Sequence, residues 1–237
     1  MGSNDISVVV PCHGHEHFLF RLLSSVVWQL EDGDNVIIVH DSAEKLSPEI
    51  AAPFGGKVLV IENGAVKGVS YSRNRAIETS NAHWIKFLDA DDVLSPFALT
   101  AVRGGDIPET TQVLAGACDR MKDGRYFGYC FPTEKEWSEI MEANPTVPSL
   151  TFVRRAALLE AGLFDEQIDY EEDWDLWLRI HRRYGPKAFQ VVEQSFCYYW
   201  IAHEERIKKK RAATINGKPV REYFREQYGA NPREGDD

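Results

Sequence analysis

The segment Phe87-Leu88-Asp89-Ala90-Asp91-Asp92 sets three carboxylates at the end of an apolar run. Carboxylates this close repel one another unless positive charge lies between them, and a hard divalent cation is the usual source. Such an ion takes one or two carboxylates from the protein and fills its shell with water and phosphate oxygens. A second acidic run, Glu171-Glu172-Asp173, stands far downstream where a helical pattern begins. The helix dipole alone favours acids there. A carboxylate set apart from a metal cluster is also what general-base removal of a hydroxyl proton requires. Ser95-Pro96 forms a good N-cap and first-turn pair, so the helix expected after the first cluster needs none of its aspartates.

The elements that must position these groups alternate between strand and helix. Ile6 to Val10 is a β-branched run closed by Pro11 and reads as a buried strand. Phe18, Leu22, Leu23, Val26, Val27 and Leu30 then recur at helical spacing. Val36 to Val39 and Val58 to Ile61 predict further strands, with helical segments over Ala43 to Ala52 and Ser70 to Thr79. Trp84 to Leu88 predicts a fourth strand, which runs directly into Asp89. This order implies βαβ units and a mainly parallel sheet, whose ligands sit outside the carboxyl ends of the strands. Beyond residue 106 the pattern changes to a meander over Val113 to Cys118 and Tyr126 to Phe131, then a short helix over Glu134 to Glu142. Helices are expected again over Arg155 to Ala161 and Asp173 to Tyr184. Trp174 and Trp177 share a face of the second, placed either to pack the core or to floor a sugar pocket.

With 43% apolar and 11% aromatic residues, the 237-residue chain can bury a sizeable core. Its net charge of −10 disfavours a broad affinity for nucleic acid or anionic membrane. No run approaches the roughly 20 apolar residues that cross a bilayer, and the first residues carry no signal-peptide pattern. Cys12, Cys118, Cys130 and Cys197 contain no Cys-x-x-Cys pair, which suits reduced thiols and a cytoplasmic setting.

Four blocks, in order, resemble the family-2 glycosyltransferases. They are Val8-Val9-Val10-Pro11, Val69-Ser70-Tyr71-Ser72-Arg73-Asn74-Arg75-Ala76-Ile77, the Asp89 to Asp92 cluster, and Gly162 to Glu166 followed by Glu172 to Arg179. The resemblance implies the GT-A fold: α/β, Rossmann-like, with a mainly parallel central sheet flanked by helices and a smaller acceptor-side lobe. It implies a donor lobe over residues 1–105, an acceptor and catalytic-base lobe over 106–205, and a basic, polar helical tail over 206–237. The activity implied is inverting transfer of a sugar from a nucleotide diphosphate donor, a UDP-sugar by default, to the hydroxyl of a glycan, lipid-linked or other acceptor. It requires manganese or magnesium. Asp173 is then the catalytic base, with Glu172 the alternative. Pro11, His13, Asp41, Arg73 and Asp91 belong to the nucleotide pocket, and Asp92, Asp91 and His203 to the metal.

Two departures stand out. The family's paired aspartates after the second strand are here His40-Asp41, and the turn after the first strand is Cys12-His13-Gly14, so an imidazole replaces the usual partner of the base. Other readings rank lower. The run Cys12 to His17 matches no familiar zinc spacing. Lys208-Lys209-Lys210-Arg211 is thin support for a nucleic-acid acceptor on an acidic chain. A silent sugar-nucleotide or glycan-binding module on the same fold is the alternative from a different class. Retention of both acidic groups favours the enzyme.

Overall fold

The computed structural model describes residues 4–104, 107–122, 125–133, 138–200, 214–215 and 217–230. Strands β1 (Ile6–Cys12), β2 (Asn35–His40), β3 (Val58–Glu62) and β4 (Trp84–Phe87) alternate with helices α1 (Leu19–Val26), α2 (Pro48–Ala51) and α3 (Val69–Thr79). Then follow β5 (Val93–Leu94), β6 (Val113–Lys122), β7 (Arg125–Cys130), β8 (Thr151–Arg154), helices α4 (Arg155–Glu160) and α5 (Glu172–Tyr184), β9 (Phe189–Trp200), and α6 (Val220–Tyr228).

Nine strands form one mixed sheet in the order β3-β2-β1-β4-β8-β6-β9-β5, with β7 paired to β6. The half built from β3, β2, β1 and β4 is parallel throughout. β8 enters antiparallel to both β4 and β6, whereas β6 and β9 run parallel. Apolar alternation along β1 explains the layering. Val8, Val10 and Cys12 face α1 through Leu19, Leu22, Leu23 and Val26, while Val9 faces Ala76 and Ile77 of α3 on the other side.

The strand and helix expectations hold for the parallel half, with local differences. β1 runs on through Pro11, which pairs with Val39, to Cys12. The nitrogen of Pro11 points toward β4, whose last pairing with β1 is Val9 with Phe87, so no ladder bond is lost. The helix expected over Ala43 to Ala52 is confined to Pro48–Ala51, followed by a 3₁₀ stretch. Ser95 does not cap a helix: its hydroxyl meets that of Ser195 at 3.0 Å, and a 3₁₀ turn starts at Ala98 after Phe97 in the left-handed region. Trp174 and Trp177 are both buried, their indole N–H groups donating to the carbonyls of Ile140 (2.7 Å) and Thr146 (3.1 Å), so both tryptophans belong to the core.

Ile215 and helix α6 join the same core. Phe224 of α6 is fully buried and stacks on Trp174 with centroids 4.4 Å apart, and the Tyr228 hydroxyl donates to Asp175. β9 was not expected as a strand, although Phe189 to Trp200 is rich in β-branched and aromatic residues. It is held by Gly116, where a Cβ would lie 2.6 Å from the Phe196 ring.

Candidate functional site

The parallel half brings the carboxyl ends of β1 to β4 to one edge, and the chemistry-bearing residues gather there. Asp41 follows β2 and is buried. Its Oδ1 accepts from Asn63 Nδ2 (2.7 Å) and the Lys67 N–H (2.8 Å), and its Oδ2 from the Gly68 N–H (2.9 Å). Gly68 has φ 100°, a conformation that a side chain strains, and this lets its N–H turn toward the carboxylate as α3 begins. His13 Nδ1 lies 2.6 Å from the Asp41 carbonyl oxygen, so His13 and Asp41 share one wall.

After Phe87 the chain leaves the sheet in a turn closed by the Asp92 N–H on the Asp89 carbonyl (2.9 Å). A continued strand would aim Asp89 and Asp91 to one side; the turn separates them. Asp89 turns toward Arg73. Asp91 lies near the surface, its carboxylate 3.6 Å from His15 Nδ1 and its carbonyl accepting from Arg21 Nη2 at 2.8 Å. Asp92 points inward, 1% exposed. Lys86 lies beneath, wholly buried, its ammonium donating to the carbonyls of Phe87 and Ser149. Burial pushes Lys86 down to about 8 against the opposing pull of Cys197, Asp92 and Asp89. The Ser149 hydroxyl in turn accepts from the Asp89 N–H at 3.1 Å.

Helix α5 opens on the other acidic run. Glu171, its N-cap, holds φ 59° in the left-handed region, an uncommon conformation for a residue with a side chain. Arg73 of α3 joins the two acidic segments. From a buried position its Nη1 donates to Glu172 Oε1 (2.8 Å) and its Nη2 to Asp89 Oδ1 (3.1 Å), with the guanidinium 5.2 Å from the Phe164 ring centroid. Burial opposes the charge on Arg73, but Asp89, Glu172 and Asp173 together raise its pKa. Asp173 is 6% exposed and accepts from Asn144 Nδ2 (2.9 Å) and the Trp174 N–H (2.8 Å). Its pKa stands well above the usual carboxylate value, first because of burial and then because of Glu172 and Glu171.

Of the expected site residues, the structure gathers Pro11, His13, Asp41, Arg73, Asp91, Asp92, Glu172 and Asp173 along this edge. His203 and the Lys208 to Arg211 run lie outside the described residues. Sequence reasoning passed over Asn63 and Asn144, which sit in loops, and Ser149, which sits in a 3₁₀ turn, all without a local motif. Lys86 had a visible signal, a lone charge in the apolar run Trp84 to Phe87. Among the described residues no three His, Cys, Asp or Glu side chains converge to enclose a metal. Of the two aspartates of the acidic turn, Asp91 keeps a side chain 21% exposed, whereas Asp92 is buried.

Residues 7–126, which take in the whole parallel half and the acidic turn, match Glycosyl transferase family 2. The chain belongs to that family. An uncharacterised glycosyltransferase of Rickettsia prowazekii is 20% identical over 195 residues, covering 75% of this chain and 58% of that protein. The teichoic acid poly(glycerol phosphate) polymerase of Staphylococcus epidermidis is 29% identical over 101 residues, covering 41% of this chain and 14% of the polymerase. The fold matches S. aureus TarS 1–349 in complex with UDP-GlcNAc at a TM-score of 0.69 with 19% identity, covering 89% of this chain and 62% of that one. It also matches the mannosyltransferase PcManGT from Pyrobaculum calidifontis in complex with GDP-Man and Mn2+, at a TM-score of 0.66 with 14% identity, covering 87% and 61%. The chain thus has the GT-A fold, and it spans less than two thirds of the length of each of these proteins. No helix among its described residues is long and apolar enough to cross a membrane.

Proposed function

We propose that the transferase moves a sugar, with inversion, from a nucleoside diphosphate donor to an acceptor hydroxyl, using Asp173 as general base. UDP-sugars are the default donors, and a glycan or lipid-linked hydroxyl the acceptor class. One observation carries the reading: buried Arg73 ties Asp89, from the acidic turn, to Glu172, beside the proposed base. The two acidic groups are thereby parts of one site, although 83 residues separate Asp89 from Glu172 in the chain.

Inversion is a direct displacement at the anomeric carbon. The acceptor oxygen forms its bond as the bond to the diphosphate breaks, and the hydroxyl proton passes to a base on the acceptor side. Asp173 suits that task because its raised pKa brings it nearer to the hydroxyl it must relieve. Glu172 is committed to Arg73 and is the weaker candidate. Asp92 and Asp91 would hold manganese or magnesium, which would supply positive charge where the leaving diphosphate gains negative charge. His203 is proposed to assist there.

On the nucleotide side, His13 offers a ring face to the base. Asp41 Oδ1 already takes two donors, whereas Oδ2 takes one, which leaves it an acceptor position for a base N–H. Residues 1–105 serve as the donor lobe, 106–205 as the acceptor and catalytic lobe, and 206–237 as the tail. The test is thermal unfolding with UDP, dTDP, GDP and ADP, each with and without manganese. A ligand at about a hundred times its Kd adds roughly 2.7 kcal/mol, which is several degrees for a chain this size. A shift with one diphosphate only when metal is present supports the reading, and none with any of them removes it.

A further inference from the structure

His40 stands where the resemblance leads one to expect a carboxylate, and the fold gives it two carboxylates as partners instead. It is 2% exposed at the end of β2. Its Nδ1 lies 2.9 Å from Glu62 Oε2 at the end of β3, and its Nε2 lies 3.1 Å from Glu16 Oε1, just beyond β1. A carboxylate only accepts hydrogen bonds, and a neutral imidazole has one N–H and one lone pair. With both carboxyls ionised, both contacts are made together only by an imidazolium; a neutral ring makes both only where one carboxyl carries the proton instead.

The two glutamates are fixed differently. Glu62 is also held by the Leu46 N–H on its Oε1 at 3.0 Å. Glu16 sits on the loop after β1, where its Oε1 also accepts from the Gly14 N–H at 3.1 Å. Its carboxyl lies below the ordinary value, through its own backbone N–H first, with His40 and Gly14 adding to the effect against burial. The loop it anchors carries His13, whose Nδ1 touches the Asp41 carbonyl.

We propose that His40 is a positioning residue for the donor-base pocket, an imidazolium clamp between Glu16 and Glu62 that holds the His13 to Glu16 loop against Asp41. This rests on the reading of that pocket as the donor site. When the clamp loses its proton, one carboxylate faces a lone pair, and Glu16, on the loop, is the partner that gives way. The other groups around it do not replace the proton. Cys12, opposite His40 in the β1–β2 pairing, is pushed up to about 12 by burial and by Glu16, and stays neutral. Asp41 follows His40 in the chain, its carboxyl taken up by Asn63, Lys67 and Gly68. Arg75 spends its Nη1 on the Glu62 carbonyl and Asn63 Oδ1, each at 2.7 Å.

The test is the Kd of UDP with manganese, measured by calorimetry between about pH 5 and pH 9, the range that spans imidazole titration. The wild-type Kd rises by about ten-fold as the clamp loses its proton, the loss of one buried charged hydrogen bond. In Glu16→Gln the side-chain amide donates to neutral Nε2, so the contact survives and the rise is absent. Both proteins meet the same titrating ligand, so the difference between the two curves belongs to the clamp. The same rise in Glu16→Gln, or no rise in wild type, overturns the proposal. Histidine-selective nitrogen NMR of the unliganded protein decides the matter without a donor. His40 protonated on both nitrogens, with a Gly14 amide whose exchange protection falls as that signal turns neutral, supports the clamp even if UDP does not bind. A neutral His40 across the range overturns it. UDP failing to bind at any pH counts against the donor reading alone.

Discussion

Two buried aspartates mark the two sides of this site, and their surroundings differ more than their burial does. Asp41, on the parallel half, meets three donors at 2.7, 2.8 and 2.9 Å and has no acidic residue beside it in the chain. Asp173, at the start of α5, meets two donors and follows Glu171 and Glu172 directly. The first arrangement makes a carboxyl an organising acceptor: Asn63, Lys67 and Gly68 all donate to it. The second keeps a carboxyl ready for a proton, because burial and neighbouring acids favour its neutral form. Donors supplied, not burial alone, distinguish the two carboxyls.

The largest effect expected from this contrast is in Asp173→Asn. It removes the base while keeping an oxygen to accept from Asn144 and Trp174, so transfer falls by roughly a hundred- to ten-thousand-fold while donor binding is retained. The same variant sharpens the comparison through stability. A carboxyl whose folded pKa is raised contributes fully below the ordinary carboxylate range, and that contribution is lost as pH rises through the raised value. Asp173→Asn therefore melts above wild type at neutral pH by a few degrees, and the gap closes in acid. A variant that melts lower at neutral pH contradicts this picture.

Arg73→Met comes next. It leaves Asp89 and Glu172 facing each other across the site without their shared cation, and the expected cost is about 3 kcal/mol of stability with loss of transfer. Denaturant unfolding measures the first and a product assay the second. Phe224→Ala opens a cavity against Trp174 and costs about 3 kcal/mol, a check that α6 belongs to the core under α5. Asp41→Asn has the smallest expected effect. It turns one acceptor oxygen into a donor opposite an N–H group, for about 1–3 kcal/mol, and its signature is weaker nucleotide binding with an unchanged pH dependence of transfer.

How far the sequence carried also divides along the same line. The parallel half was legible because β1, β2 and β3 are compact β-branched runs and α1 keeps a helical period, and the residues after the strands could be named in advance. The acidic turn and the start of α5 were legible as motifs, but their junction was not. Nothing local in Arg73 says that its two partners lie 16 and 99 residues away. Asn144 and Ser149 are ordinary polar residues until the fold sets them against Asp173 and Asp89. β9 and the docking of Phe224 were missed because long-range pairing, not period, determines them. His40 read as a missing aspartate; only the approach of Glu16 and Glu62 gives its ring two partners.

The most direct test of the division of labour is a paired measurement on wild type and Asp173→Asn: manganese-dependent binding of the diphosphate that shifts unfolding, and transfer from the matching sugar nucleotide. The predicted result is equal binding in both proteins, with transfer in wild type only. Transfer retained in Asp173→Asn, or donor binding lost together with it, would contradict a base that acts apart from the donor site.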